Sequence, residues 1–261
     1  MSQRVEIAKR WMVLMGWCLS GLALIVGTMA SVNVQQAKET VAVNYRLDHL
    51  EDGNDLITVD EVKERIFKAY EIDLVGVALD HIDLVDIERL LSEEAFIRKA
   101  DAYVDSKETL HVDIVQRTPL LRIMDISGNN YYLDTEGVKL PLSKHFTARV
   151  PVVSGAVEPY RMGFDTTETR LKEVFEIVKL ARQDAFMDAW LESIYVDREG
   201  EIVLQGNVGS FEVIFGDASN LQEKVDKMKN FMRNGISLVG WKELESINVK
   251  YNRQVITKER T

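Results

Sequence analysis

Cysteine is almost missing from this chain of 261 residues: Cys18 is the only one. No disulfide can close within the chain, so its domains have to be held by apolar cores alone. A hydrophobic fraction of 46% is enough for two domains of roughly 80 and 140 residues. Positive charge is also short, with 32 Lys and Arg against 42 Asp and Glu and a formal net charge of -10. A nucleic-acid surface needs a basic footprint, and this chain lacks one. The acidic balance likewise disfavours anionic lipid headgroups. Histidine is sparse: His49, His81, His111 and His145 are scattered without ligand spacing, so no metal site is expected. His111 falls on the face of a predicted strand opposite Leu110 and Val112, which reads as solvated. No G-x-S-x-G elbow, P-loop or G-x-G-x-x-G is present. Among 42 carboxylates, pairs suited to glycoside hydrolysis arise by chance, so they carry little weight. Asp134 and Glu136 bracket a tight turn before Gly137 and read as turn formers. The chain is expected to be no enzyme, with no catalytic residues and no cofactor.

One stretch lacks charge altogether. Residues 11–30 (WMVLMGWCLSGLALIVGTMA) hold no ionised side chain, and about twenty helical residues reach about 30 Å, the thickness of a bilayer's hydrocarbon core. The run is longer than the 7–15 residues of a signal-peptide core, and Thr28 replaces the small residue that a cleavage site wants. An uncleaved anchor is therefore expected. Arg4, Lys9 and Arg10 precede the run, opposed only by Glu6, while Lys38 and Glu39 balance beyond it. The positive-inside rule places the N-terminus in the cytoplasm and the bulk across the membrane. Gly16 and Ser20 have the small-xxx-small spacing of close helix pairs. That signal is weak, and Cys18 within the run reads as a plain buried thiol.

Beyond the anchor, periodicity divides the chain in two. Residues 41–47 alternate as a half-buried strand. Thr58 and Glu61 form a capping box, followed by Val62, Ile66 and Tyr70 on one helical face. A second helix is expected from Asp83 with Val85, Leu90 and Leu91 inward. Residues 100–105 and 110–115 alternate and are joined at 106–108 as a hairpin. The order strand, helix, helix, strand, strand makes a first domain over 41–117. A second domain over 118–256 opens with strands at 120–125, 131–133 and 150–153. It continues with a helix capped within 165–168 that buries Leu171, Phe175 and Val178. Strands at 193–196, 202–205 and 211–215 follow, then a helix from Asp217 to Asn234-Gly235 and a last strand carrying Ile247, Val249 and Tyr251. Residues 1–10, 11–32, 33–40 and 257–261 are then the N-terminal segment, the span, a linker and a frayed polar tail. The fold class is α+β, with the second domain mixed α/β on a mainly antiparallel sheet.

Several strings resemble the FtsQ/DivIB family of bacterial cell-division proteins. Gln116-Arg117-Thr118-Pro119 is similar to its Glu-Arg-x-Pro junction, and Tyr132 through Gly137 (YLDTEG) to its strand ending in Asp-x-Glu-Gly. Pro151 through Gly155 (PVVSG) resembles its Pro-apolar-apolar-x-Gly segment, and Ile247 through Tyr251 (INVKY) its Ile-Asp-Leu-Arg-Tyr strand. Their order covers the whole chain. Gln116 and Asn248 depart from the pattern, each standing where the family has an acid. The resemblance implies a POTRA-like first domain, a location on the outer face of the inner membrane at the division septum, and no catalysis. It also implies capture of FtsB, itself paired with FtsL, by strand addition at the terminal strand, where Tyr251 matches the family tyrosine and Asn252, Arg253 and Gln254 continue the edge. Arg198 matches a basic turn residue facing the partner. The exposed edge of the POTRA-like domain is a second docking surface, for FtsK or for enzymes of septal peptidoglycan synthesis. Tyr251 read from alternation alone falls on the side of Ile247 and Val249, as a core aromatic would. Two rival functions are a POTRA-bearing outer-membrane assembly or secretion factor, and a membrane-anchored cell-wall hydrolase. A single domain copy without barrel strands counts against the first.

Overall fold

The computed structural model describes residues 38–260, apart from 237–239 and 241. The expected span at 11–32 lies outside the described residues, and among those described no helix is long and apolar enough to cross a membrane. The chain divides into two compact units, the first made of the segment up to Asp48 with Thr58–Val115 and the second of His49–Ile57 with Gln116–Thr261.

In the first unit, β1 (Ala42–Asp48), α1 (Val59–Tyr70), α2 (Leu84–Ser92), β2 (Ile97–Val104) and β3 (Thr109–Gln116) follow the expected order. The sheet runs β1-β3-β2, with β1 parallel to β3. The Thr58–Glu61 capping box is formed at both ends, which satisfies two backbone N–H groups the first turn leaves open. Glu71 ends α1 in a left-handed conformation, φ 57°. Val62 and Ile66 are buried as the spacing requires, while Tyr70 lies at the rim and donates to Asp86 Oδ2 at 2.8 Å. In α2 the expected inward face is rotated. Asp83 caps the helix through the Asp86 N–H, and Ile87 and Leu91 are buried, whereas Val85 is 72% exposed. At 3.6 residues per turn, residue 85 lies about 140° around the helix from the middle of the 87–91 face. His111 is not simply solvated: its ring stacks on Tyr103 at 5.0 Å and meets Asp105 Oδ2 at 3.1 Å.

The second unit is a nine-stranded sheet in the order β12-β11-β10-β9-β8-β7-β4-β5-β6. Its strands are β4 (Pro119–Met124), β5 (Asn130–Asp134), β6 (Lys139–Leu140), β7 (Val152–Gly155), β8 (Leu191–Val196), β9 (Ile202–Gly206), β10 (Glu212–Gly216), β11 (Leu244–Asn248) and β12 (Ile256–Glu259). Five pairings are antiparallel; β4–β7, β7–β8 and β10–β11 are parallel. Helices α3 (Arg170–Arg182), α4 (Ala185–Trp190) and α5 (Leu221–Asn230) accompany it. Leu171, Val174 and Val178 of α3 and Val225 and Met228 of α5 share one core with Ile123, Val153, Ile194, Leu204 and Val213 of the sheet.

Two helix starts differ from expectation. Thr169, not a residue of 165–168, caps α3 by accepting from the Lys172 N–H at 3.2 Å, because 164–166 are a 3-10 turn. Helix α5 begins at Leu221 rather than Asp217; Asp217 instead receives the buried Lys224 ammonium at 2.6 Å. The C-terminal stretch departs further. The last alternating strand ends at Asn248, and the expected frayed tail is β12, paired antiparallel with β11. Val255, Ile256 and Thr257 are consecutive β-branched residues after a turn, a composition that favours a strand over fraying.

Candidate functional site

A sheet with two free edges offers two places for another chain to add a strand. One edge of the second unit is β6, two residues long with Leu140 buried. The other is β12, four residues that are all exposed and, among the described residues, paired on one side only, by β11. Arg260 N–H donates to Glu243 O at 2.7 Å, so backbone groups at alternate positions from 260 face β11. Strand alternation then turns the N–H and C=O groups of Thr257 and Glu259 outward. Its second half is charged, with Lys258 paired to Glu245, and just beyond it Arg260 donates to Ser210 O at 2.7 Å. Charge on an edge discourages indiscriminate pairing while leaving the ladder open to a matched strand.

The turn that leads into this edge holds four of the residues singled out by sequence. Tyr251, Asn252, Arg253 and Gln254 are all exposed and lie between β11 and β12, not on a strand. Ile247 and Val249 are fully buried, but Tyr251 is 47% exposed, so the alternation that would make it a core aromatic stops short. Asn248 is the cause: its Oδ1 accepts from the Lys250 N–H at 3.0 Å, bending the chain out of the ladder. Lys227 of α5 fixes the bend by donating to Val249 O at 2.8 Å and Tyr251 O at 2.7 Å. Arg253 has φ 59° and completes the reversal.

Arg198 is exposed in the β8–β9 turn, which Asp197 builds by accepting from the Glu201 N–H at 2.7 Å. Lys250 joins the two turns through an ion pair with Glu201, and that carboxylate raises the ammonium's pKa above the ordinary lysine value. The lysine stem crosses Gly216, where an added Cβ would lie 2.6 Å from Lys250 Cδ. The fold thus gathers Arg198's turn, Tyr251 through Gln254 and the start of β12 at one end of the sheet. Sequence reasoning missed β12 itself, although its β-branched start was the available signal.

The remaining acidic and basic candidates are engaged structurally. Asp134 is fully buried and accepts from the N–H groups of Glu136 at 2.9 Å and Val138 at 2.7 Å, while Arg117 donates to its other oxygen at 2.9 Å. It forms its turn, as the spacing implied. Gln116 is buried and accepts from the Leu56 N–H at 2.8 Å while donating to Asp55 Oδ1 at 2.7 Å. The amide that replaces the family's acid thus faces inward, not toward a partner. Among the described residues no group of three or more His, Cys, Asp or Glu is placed to hold a metal ion.

A family model described as FtsQ/DivIB, C-terminal related, matches residues 118–258, more than half the chain and all but one residue of the β4–β12 sheet. A POTRA-like domain model matches residues 48–115. A search of curated proteins returned no match.

Proposed function

Since the chain belongs to the FtsQ/DivIB family of cell-division scaffolds, we propose that it is a non-enzymatic division scaffold that captures its partner by strand addition at β12. The observation that carries this reading is the outward ladder of Thr257 and Glu259 on a fully exposed edge. Main-chain bonds to these positions supply affinity, and side chains around them supply selectivity. Tyr251, Asn252, Arg253 and Gln254 flank the start of the added strand, and Arg198 stands on the rim at the same end. Tyr251 suits that role, with an apolar ring and a polar tip at the surface.

The partner is an FtsB-like chain, itself paired with an FtsL-like one. The apolar run at residues 11–30 anchors the scaffold in the inner membrane at the septum, with the N-terminus cytoplasmic and both units periplasmic. Tethering raises the local concentration of the edge for partners confined to the same surface. FtsK-like and septal peptidoglycan-synthesis proteins are further contacts at the first unit's sheet edge.

The test is a pair of substitutions assayed against the FtsB–FtsL-like pair. Thr257→Pro removes one outward N–H without removing a bond to β11, and an edge strand tolerates proline there. It should weaken binding at least about tenfold, the loss of about 1.4 kcal/mol of main-chain bonding. Tyr251→Ala should weaken binding while the melting temperature stays put, since the side chain is exposed. Normal binding by both variants refutes the site. Release of fragments from peptidoglycan by the purified chain, abolished by changing one acidic pair, would favour the hydrolase instead.

A further inference from the structure

The first unit exposes an apolar patch that its own fold does not use. Val43 and Tyr45 of β1, Phe67 of α1 and Ile72, Leu74 and Val75 of the following loop line one hollow. Phe67, Ile72 and Val75 are 56%, 48% and 49% exposed, and Val41, immediately before β1, is 65% exposed. Large apolar side chains clustered in this way mark a contact surface.

The patch stands where the chain enters the unit. Leu79 N–H donates to Lys38 O at 2.9 Å, Thr40 N–H to Val77 O at 2.9 Å and Gly76 N–H to Thr40 O at 2.7 Å. The loop bearing Ile72 and Val75 is therefore bonded directly to residues 38–40. Only seven residues, 31–37, separate Lys38 from the end of the apolar run at Ala30. They span about 24 Å fully extended and about 10 Å as a helix. The headgroup layer takes up about 5–8 Å of that distance.

We propose that this hollow and its apolar rim are the face the first unit lays on the lipid surface beside its own anchor. The inference rests on residues 11–30 being that anchor. Charge selects the kind of surface. Asp73 lines the hollow together with Lys63, so one charge of each sign meets there and the patch has no net attraction to anionic headgroups. A zwitterionic surface suits it, and contact through apolar side chains resists salt, unlike a polybasic patch. Laid down in this way, the unit keeps a fixed height above the bilayer.

The experiment uses the full chain with Cys18→Ala and one cysteine, at Val75 or at Ser92, carrying an environment-sensitive fluorophore. Ser92 ends α2 ahead of β2, whose start lies at the far end of the sheet from Lys38 because β3 runs parallel to β1 and β2 returns along it. The chain is reconstituted into phosphatidylcholine vesicles with brominated acyl chains. The label at 75 should be quenched about threefold more than the label at 92, equally at low and high salt. Ile72→Ser with Phe67→Ser should bring it down to the level at 92. Equal quenching at both positions in a chain that floats with the vesicles overturns the inference and leaves the anchor standing. A label at 75 that is shielded from water yet not quenched by lipid overturns it in favour of a protein segment in the hollow. A chain that does not float with the vesicles overturns both readings.

Discussion

Gln116→Leu is the sharpest test of how the second unit is held together. The side chain is 4% exposed, and its Oε1 accepts from the Leu56 N–H at 2.8 Å and, more weakly, from the Ile57 N–H at 3.4 Å. Leu56 and Ile57 are themselves 1% and 5% exposed, so water does not replace the lost acceptor. One buried N–H left open costs about 1–3 kcal/mol, and the longer second bond adds less. Asp55 regains water, because its side chain is 27% exposed. The sum is about 2–3 kcal/mol, or about 4–12 °C in the melting temperature of a unit this size. Ser143 still holds Leu56 O at 2.6 Å, so the 49–57 segment should loosen rather than leave. Trp190 and Trp241 are the only tryptophans from residue 38 onward and both belong to the second unit. Urea unfolding of a chain starting at residue 38, followed by tryptophan fluorescence, therefore reads that unit alone. Gln116→Glu restores the family's acid and keeps the Leu56 acceptor, but it turns a second carboxylate toward Asp55. That repulsion raises the new group's folded pKa, so its penalty is full above the raised folded value, shrinks as pH falls from there and is gone below the unfolded value. A Gln116→Leu variant within about 0.5 kcal/mol of the parent would refute the reasoning.

Other consequences follow from individual contacts. Asp217 is held well below the usual carboxylate range, first by the Lys224 ammonium and then by Ser219. A depressed folded pKa adds stability above the unfolded value near 3.9 and loses it as pH falls from there. Asp217→Asn should therefore flatten the acid limb of a stability–pH curve below about pH 4. At pH 7 it should cost about 1–2 kcal/mol, since Lys224 keeps its bond to Asp217 O at 2.9 Å and the carboxylate is half exposed. Gly155 has φ 96°, and a Cβ there would lie 2.0 Å from Val196 O in the β7–β8 pairing. Gly155→Ala should cost more than about 3 kcal/mol, read as a lowered urea midpoint or loss of soluble protein.

Much of this fold was legible where one local signal settled one element. The Thr58 capping box, the 106–108 hairpin and the Asp134 turn each combine a polar residue type with a fixed offset, and each formed as read. Alternation failed where a side chain redirected the backbone. Ile247 and Val249 extrapolate to a strand through Tyr251, but Asn248 bends the chain and Lys227 anchors the bend from 22 residues away in sequence. That contact has no sequence signature. Strand β12 was hidden because both of its faces are exposed, which leaves no period-two pattern. Helix α4, six residues long, is too short for a helical period to show. Val85 was misplaced although the helix start at Asp83 was read correctly, because a spacing of six residues from Leu91 does not return to the same helical face. Gln116 looked in sequence like a lost charge, and only its bonds to Leu56 and Asp55 identify it as an internal tie. At the candidate site, Arg198 and Tyr251 through Gln254 were named from family resemblance. Their shared end of the sheet follows from strand order and the Lys250–Glu201 pair, which spacing alone does not reveal.

Amide hydrogen exchange with and without the FtsB–FtsL-like pair tests the central claim most directly. In the free chain the Thr257 and Glu259 amides point away from β11 and should exchange fast, while those of Ile256 and Lys258 are slowed by β11. Partner binding should protect Thr257 and Glu259 above all other positions in the sheet. Protection that appears instead at β6, with Thr257 and Glu259 still exchanging at their free rate, would contradict strand addition at β12.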